Sequence, residues 1–483
     1  MTHALASRVA AAPAVALAAE ALSGEEGVWV VGGAVRDAAL GRDVVDADLA
    51  TAGSERDAAQ AIAKAAGGHA FELSAEFGTW RSVAPGSAWH VDVTRLRADS
   101  IEADLALRDF TVNALALPLG RLDAEPVDPA GGIADAERGV LRAVSSASFA
   151  DDPLRVIRAA RLVAELGFEI EERTLALGRD AAPRAAEPAG ERQLSELRLL
   201  ISAPDPIGGL GALDELGGTA AILPEVEALR GVEQNPNHHL DVLGHTLEVL
   251  RQLLGLEGEL ERVAGDRAGE LREHLAEPLS GGFTRGQALR LGALLHDVGK
   301  PATRDASRDY VTFIGHDHVG AEIVTAICER LRTSRALEAY LRGVTLHHLR
   351  LGFLASERPL PRRRVHEYLR ATEPVSADVT LLTVADRLAA RGEGPIASPE
   401  MVAAHIELAG EMLAAALDRR RDGPPRSPIA GDELAAELGI EPGPQLGRLL
   451  DEIEAAVYAG EVSDREEAVE HARSLLDPES SPR

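Results

Sequence analysis

Apolar positions in residues 27–120 fall into short runs, separated by polar or glycine-rich stretches with helical spacing. Val28–Val31, Asp46–Ala50, the region Trp80–Val83, His90–Thr94 and Ala114–Pro118 read as strands. From about residue 133 the helical period dominates, with stops at Glu165-Leu-Gly-Phe168 and Gly217-Gly218. Asn235-Pro-Asn237 breaks the pattern before a histidine-rich helical region, and Arg421-Asp-Gly-Pro-Pro-Arg-Ser-Pro428 reads as a linker. Met1 to Glu20 is alanine-rich and predicts a helix. The predicted class is α+β, a small mixed α/β head followed by helical modules. Boundaries are expected at 1–26, 27–132, 133–232, 233–396 and 397–483. No short-period repeat is present.

A chain of 483 residues exceeds one ordinary core, which agrees with several modules. No apolar run approaches a membrane span, and the N-terminus lacks the layout of a signal peptide. One cysteine, Cys328, excludes an intramolecular disulfide and a thiolate-rich zinc site, so the expected compartment is the reducing cytoplasm. The net charge of −28 opposes nucleic-acid binding in bulk. An RNA partner would require local basic surface. Candidates are Arg155, Arg158 and Arg161; Arg362 to Arg364; and Arg419 to Arg421, the last two reading more simply as solvated helix faces.

Candidate chemistry concentrates in residues 30–51, Val-Val-Gly-Gly-Ala-Val-Arg-Asp-Ala-Ala-Leu-Gly-Arg-Asp-Val-Val-Asp-Ala-Asp-Leu-Ala-Thr. Asp46 and Asp48 are two apart on a predicted strand and share a face. Carboxylates held so close repel unless a cation lies between them, and Mg²⁺ takes oxygen ligands completed by substrate phosphates. Gly32 and Gly33 let backbone approach a phosphate, and Arg36 adds a charged donor. The order of these features resembles motif A of the DNA polymerase beta superfamily, in the form used by class II tRNA nucleotidyltransferases and bacterial poly(A) polymerases.

The resemblance extends along the chain. Leu107-Arg-Asp-Phe-Thr-Val-Asn-Ala114 resembles that family's motif B, with Leu107 in place of its first arginine and Arg108 left as the phosphate-facing cation. Asp109 and Asn113 have a simpler role as local caps. Asp92 is expected either as a third carboxylate, acting as base or metal ligand, or as a plain edge-strand residue. Asp151-Asp-Pro-Leu-Arg155 resembles motif D, whose carboxylate and guanidinium pair with the base edge of the incoming nucleotide; Asp152 and Arg155 occupy those positions. Asp152 before Pro153 also suits a helix start. Arg158 and Arg161 continue the stripe and are expected to hold triphosphate or tRNA backbone, Arg161 facing away from Asp152. Asp128-Pro-Ala-Gly-Gly132, Glu191-Arg192 and Leu223-Pro-Glu-Val226 extend the likeness to about residue 226. One departure is the short segment Arg95–Ala106, because CCA-adding members carry a longer loop here and members without it tend to add only CC.

A second constellation comprises His238-His-Leu-Asp-Val-Leu-Gly-His245, His296-Asp-Val-Gly-Lys300, Gly315-His-Asp-His318, His347-His348 and Asp386. In this order it resembles the HD phosphohydrolase superfamily. The likeness implies one metal on His245, His296, Asp297 and Asp386, a second on His316 with His347 or His348, and Lys300 toward phosphate. His238, His239 and His318 read as surface or capping residues. The region 427–475 resembles the family's tail, where Gly443 stands before a helix start that either meets RNA phosphate or is a plain cap.

The implied function is template-free addition of CCA to tRNA 3′ ends from CTP and ATP. Mg²⁺ is expected in the head and unidentified divalent metals in the HD domain. CC addition or poly(A) synthesis are the alternatives. A rival of another class is a tRNA-binding quality-control protein in which only the HD site works.

Overall fold

β1 (Val28–Val31) and β2 (Ala47–Thr51) pair antiparallel, and β2 pairs in parallel with β5 (His90–Arg95). With β3 (His69–Ser74), β4 (Thr79–Val83) and β6 (Ala116–Pro118) they form one mixed sheet in the order β3-β4-β5-β2-β1-β6. Four expected strands agree with the structure to within two residues at either end, and β1 agrees residue for residue. β3 was not predicted, because as an edge strand it buries neither face and shows no alternation.

The sheet's core face holds Val30, Leu49, Val91 and Val93. They pack on α4 (Glu55–Ala66), which starts at Ser54, whose Oγ accepts from Asp57 N, and ends at Gly67 in the left-handed conformation. The same core receives α1 (Thr2–Ala11) and α2 (Pro13–Ala21) through Leu5, Val9, Val15 and Ala18. One N-terminal helix was expected; Pro13 lacks the required N–H and splits it. Among the described residues no single helix is long and apolar enough to cross a membrane. The α1–α2 pair passes that test only jointly, is bent by 78°, and is largely committed to the head core.

The computed structural model describes residues 2–74, 78–307 and 310–476, so the ends of the first and last expected modules lie outside the described residues. The chain divides into two compact units, Met1–Leu223 and Pro224–Arg483. The first also contains α3 (Gly33–Ala39), α5 (Ile101–Leu105), α6 (Arg155–Leu166, closed by Gly167 at φ 71°) and α7 (Gly190–Ser202). The second is helical apart from the two-stranded ribbon Pro278–Ser280 with Phe283–Thr284. A similar short pair, Val140–Leu141 with Glu169–Ile170, lies in the first.

The second unit contains α8 (Val242–Gly258), α9 (Arg285–Leu295), α10 (His316–Arg330) and α11 (Arg335–His347). These are followed by α12 (Arg362–Thr372), α13 (Ser376–Ala389) and α14 (Pro399–Asp422). After the expected linker, α15 (Gly431–Leu438), α16 (Pro444–Ala459) and α17 (Arg465–Leu476) surround a small core of Leu434, Ile453 and Ala468. Gly443 caps α16 without a side-chain bond. The two later arginine clusters are largely paired with carboxylates. Arg363 pairs with Glu452 and Glu461, Arg364 with Glu357 and Glu367, and Arg362 lies over the Tyr458 ring. Arg419, Arg420 and Arg421 pair with Glu373, Glu277 and Asp422. All of them except Arg362 therefore have a carboxylate partner, which leaves little spare positive charge on either cluster.

Candidate active sites

In the first unit the chain leaves β1, turns at Gly32 (φ 70°) and enters α3. A Cβ at Gly32 would stand 3.1 Å from Arg108 Nη1 and in a left-handed backbone, which is why glycine fits there. Parallel pairing sets Asp48 directly beside Asp92, on the face opposite the core valines. Asp46 sits just before β2, where its Oδ1 accepts from His90 N at 2.8 Å and lies 2.9 Å from His90 Nδ1. Asp92 is held on both oxygens by Arg81, at 2.7 Å each.

The three carboxylates therefore do not close into one tight cluster. Asp48 differs from its neighbours, because among the described residues it has no hydrogen bond or ion pair. Desolvation by the cleft walls, followed by the adjacent Asp92 carboxylate, pushes its pKa above the usual carboxylate range. That uncompensated negative charge, on a solvent-facing oxygen donor, suits a hard divalent cation.

Asp48 opens into a cleft of about 660 Å³ that is also lined by Gly32, Gly33, Arg36, Arg108, Arg155, Arg158 and Arg161. With Arg95 and Arg97 it collects seven arginines against the four carboxylates of Asp48, Asp104, Asp109 and Glu165, a local positive site on an acidic protein. A continuous network fixes it. Arg36 Nη1 donates to Asn113 Oδ1 (2.8 Å), Asn113 Nδ2 to Asp109 Oδ1 (3.2 Å), and Arg158 Nη1 to Asp109 Oδ2 (3.4 Å). Glu196 on α7 then takes Arg158 at 2.9 Å and Arg161 at 3.0 Å. Burial disfavours the charged Arg158, but Glu196 and Asp109 outweigh it and hold the guanidinium firmly protonated. Asp109 and Asn113, expected as local caps, belong to this longer network.

Asp152 does not line the cleft. Its backbone is extended (φ −147°, ψ 98°), and regular helix begins only at Arg155, after a turn. Its Oδ1 does accept Leu154 N (3.1 Å), and its Oδ2 takes Arg192 at 2.7 Å. Arg155 is buried and donates to the carbonyls of Leu107, Arg108 and Ser148. The connection after β5 is clamped, because Arg97 bonds buried Asp104 through its backbone N (3.1 Å) and Nε (2.9 Å). Sequence reasoning missed Arg81, Arg97, Asp104 and Glu196. Only the residues around the recognised motifs marked the region, and nothing in the sequence pairs these side chains.

In the second unit, helix ends converge on Asp297. Its Oδ1 faces His316 Nε2 (3.3 Å) and His348 Nε2 (3.8 Å). Its Oδ2 faces His296 Nε2 (3.2 Å), His245 Nε2 (3.9 Å) and Lys300 Nζ (2.6 Å). His245 Nε2 also lies 2.9 Å from Asp386 Oδ1. Two groups have ligand atoms within 4.8 Å of one another: His245, His296 and Asp386, and Asp297, His316 and His348. The Nδ1 atoms of His296, His316 and His348 each lie 2.6–2.7 Å from the carbonyl oxygen three residues earlier, at Ala293, Phe313 and Thr345. This places the proton on Nδ1 and leaves each Nε2 lone pair aimed inward, as metal ligation requires. Burial disfavours a charged His296, yet Asp297 and Asp386 hold its pKa above the ordinary value. His296 and Lys300 hold Asp297 far below the usual range despite its burial. The donor set fits two divalent ions with Asp297 between them.

His347 is a correction to the expected set. It turns away from the cluster and accepts from Arg350 Nε at 2.9 Å, so His348 is the residue that joins. His238 also departs from expectation. It lines the pocket with its ring 4.5 Å from that of His245, and burial pushes its pKa down to about 3. His239 and His318 are exposed, as expected. Gly299 is required by close approach, since a Cβ there would lie 2.1 Å from His316 O, at the start of α10.

Comparison with known proteins matches residues 28–142 to the Poly A polymerase head domain, 167–229 to the "Probable RNA and SrmB- binding site of polymerase A", and 242–391 to the HD domain. The A-adding tRNA nucleotidyltransferase of Deinococcus radiodurans is 37% identical, over 92% of this chain and 94% of its own. The CC-adding tRNA nucleotidyltransferase of Thermus thermophilus is 34% identical, over 91% of each. A solved complex of a CCA-adding enzyme with CTP shares the fold, with TM-score 0.62 and 22% identity, covering 96% of this chain and 94% of that one.

Proposed function

Because the chain belongs to the tRNA nucleotidyltransferases and carries an HD domain in its second unit, we propose that it extends tRNA 3′ ends with nucleotides drawn from CTP or ATP. The terminal 3′ oxygen attacks the α-phosphorus, the bond to the β-phosphate oxygen breaks, pyrophosphate leaves, and the hydroxyl proton is released. Asp46 and Asp48 would hold a Mg²⁺ ion, which when bound would supply charge neutralisation of the triphosphate and acidify the attacking hydroxyl. Gly32 and Gly33 admit the phosphates, and Arg36, Arg108, Arg158 and Arg161 balance their charge. Asp92, with Arg81, is the third carboxylate of the site. By the likeness to motif D, Asp152 and Arg155 would read the base edge, which requires Asp152 to exchange its bond to Arg192 and Arg155 its bonds to backbone carbonyls when nucleotide binds. The expected compartment is the cytoplasm.

The observation that carries the choice of product is the Arg97–Asp104 clamp on the short connection after β5. By the resemblance, a longer flexible loop accompanies the switch from C to A; a connection that is short and clamped lacks that freedom, which favours a single kind of nucleotide here. Near-full-length likeness to an A-adding and a CC-adding enzyme supports the same reading. The protein therefore performs one part of CCA synthesis. Transcripts ending before CCA, after C and after CC are incubated with CTP, ATP or both, and resolved on a sequencing gel. Extension with one triphosphate only is expected. Three added residues on the bare acceptor would instead establish full CCA addition, and long A tails a poly(A) polymerase.

The HD cluster supports a second activity, divalent-metal-dependent hydrolysis of a phosphoester such as a 2′,3′-cyclic end. Water adds to phosphorus, one ester P–O bond breaks, and the alkoxide takes a proton. Retention of Asp48, unpaired in an arginine-lined cleft, argues against a protein whose head only grips tRNA.

A further inference from the structure

The HD pocket encloses about 550 Å³, and its wall includes Asp297, Lys300 and Gln234. Two other wall residues are unusual. Ile314 is 73% exposed and Phe353 is 70% exposed, the highest values among the exposed large hydrophobics of the described residues, and both line this pocket. Ile314 is two positions before His316 and Phe353 five after His348, so the backbone segments that present the inner ligands also present the apolar surface.

Two large apolar side chains exposed on the wall of one phosphoester pocket give it an apolar surface that a flat apolar group can cover. A nucleobase has the right face for it, and base-on-aromatic stacking tolerates any base. The pocket volume admits a mononucleotide, whose phosphate would lie toward Asp297 and Lys300 while the base reaches the mouth. Gln234, whose Oε1 accepts from Lys300 Nζ at 2.8 Å, holds that ammonium in place on the pocket wall.

We propose that the mouth of the HD pocket is a nucleobase subsite faced by Phe353 and Ile314, so that this site takes phosphoesters carried on a nucleoside in preference to base-free phosphates. The proposal rests on the phosphohydrolase reading of the cluster for its chemistry, though not for its geometry. Two measurements on the full chain separate them. With Mn²⁺ present, adenosine 2′,3′-cyclic phosphate and glycerol 1,2-cyclic phosphate are compared as substrates. Phe353→Ala should raise KM for the nucleoside substrate roughly 10-fold and leave the glycerol substrate unchanged, and Phe353→Trp should restore KM. Separately, 8-azidoadenosine 2′-monophosphate is photocrosslinked and the label mapped by peptide mass spectrometry. Label at Ile314 or Phe353 supports the subsite even if neither ester is hydrolysed, a result that would remove the hydrolase reading alone. Label confined to the first unit, or equal losses on both substrates in Phe353→Ala, overturns the subsite.

Discussion

The two oxygens of Asp297 face different partners, and this determines how the HD cluster loads ions. Oδ1 is directed to His316 and His348, and Oδ2 to His296 and His245. Chelator-stripped protein titrated with Mn²⁺, followed by electron paramagnetic resonance, should fill two tight sites in this unit. His348→Ala should lose one of them and His347→Ala none, because His347 turns away toward Arg350. The adjacent pair could not be separated from sequence. Both are polar and both lie at the end of the α11 segment, and only the helix's rotation against its neighbours selects one. Asp48 was legible because the strand period sets it on the open face; Asp46, expected beside it on the strand, lies just before β2 and is turned to His90, which the spacing did not show. The Arg81 clamp on Asp92 was not legible either, since it depends on the register of β4 against β5.

Pairs of elements are held by charges whose removal has a calculable effect. Glu196 on α7 is the shared partner of Arg158 and Arg161 on α6. Glu196→Ala leaves Arg158 with only Asp109 and Arg161 with only Glu165 as counter-charge and should cost roughly 1–3 kcal/mol. All three tryptophans, Trp29, Trp80 and Trp89, lie in the first unit, so their fluorescence during urea unfolding reports that loss directly. The packing of α12 on α16 supplies a pH test. His366 is 2% exposed, has no hydrogen-bond partner on either ring nitrogen, and lies 5.3 Å from the Tyr458 ring. Burial, then Arg419 and Arg370, depress its pKa against the pull of Glu367 and Asp451. Its folded value lies below the unfolded ~6.5, so the unfolded chain binds the extra proton. Stability from this contact is complete above that pH and declines as pH falls below it. Thermal midpoints between pH 7.5 and 5.5 should fall less in His366→Phe than in the parent protein.

At the scale of the whole molecule, two sites are built from separate residue sets in separate compact units. Asp48→Asn should lower nucleotide incorporation by about 10³-fold, the effect of losing several kcal/mol of metal-centred stabilisation, and leave HD hydrolysis intact. His296→Ala should do the reverse, with incorporation assayed on tRNA and hydrolysis on a cyclic phosphate. The sequence by itself determined the α+β class, five of the six head strands to within two residues at either end, the family, and most side chains now found around the two sites. It could do so because strand and helix periods, glycine turns and short motifs are local properties of the chain. The tertiary structure alone decided that α1 and α2 complete the head core, that His348 and not His347 joins the cluster, and that the later arginine clusters, Arg362 apart, are spent on neighbouring carboxylates. It also decided that Asp152 is tied to Arg192 outside the cleft. Each depends on which segments distant in sequence pack together, and no local pattern encodes that.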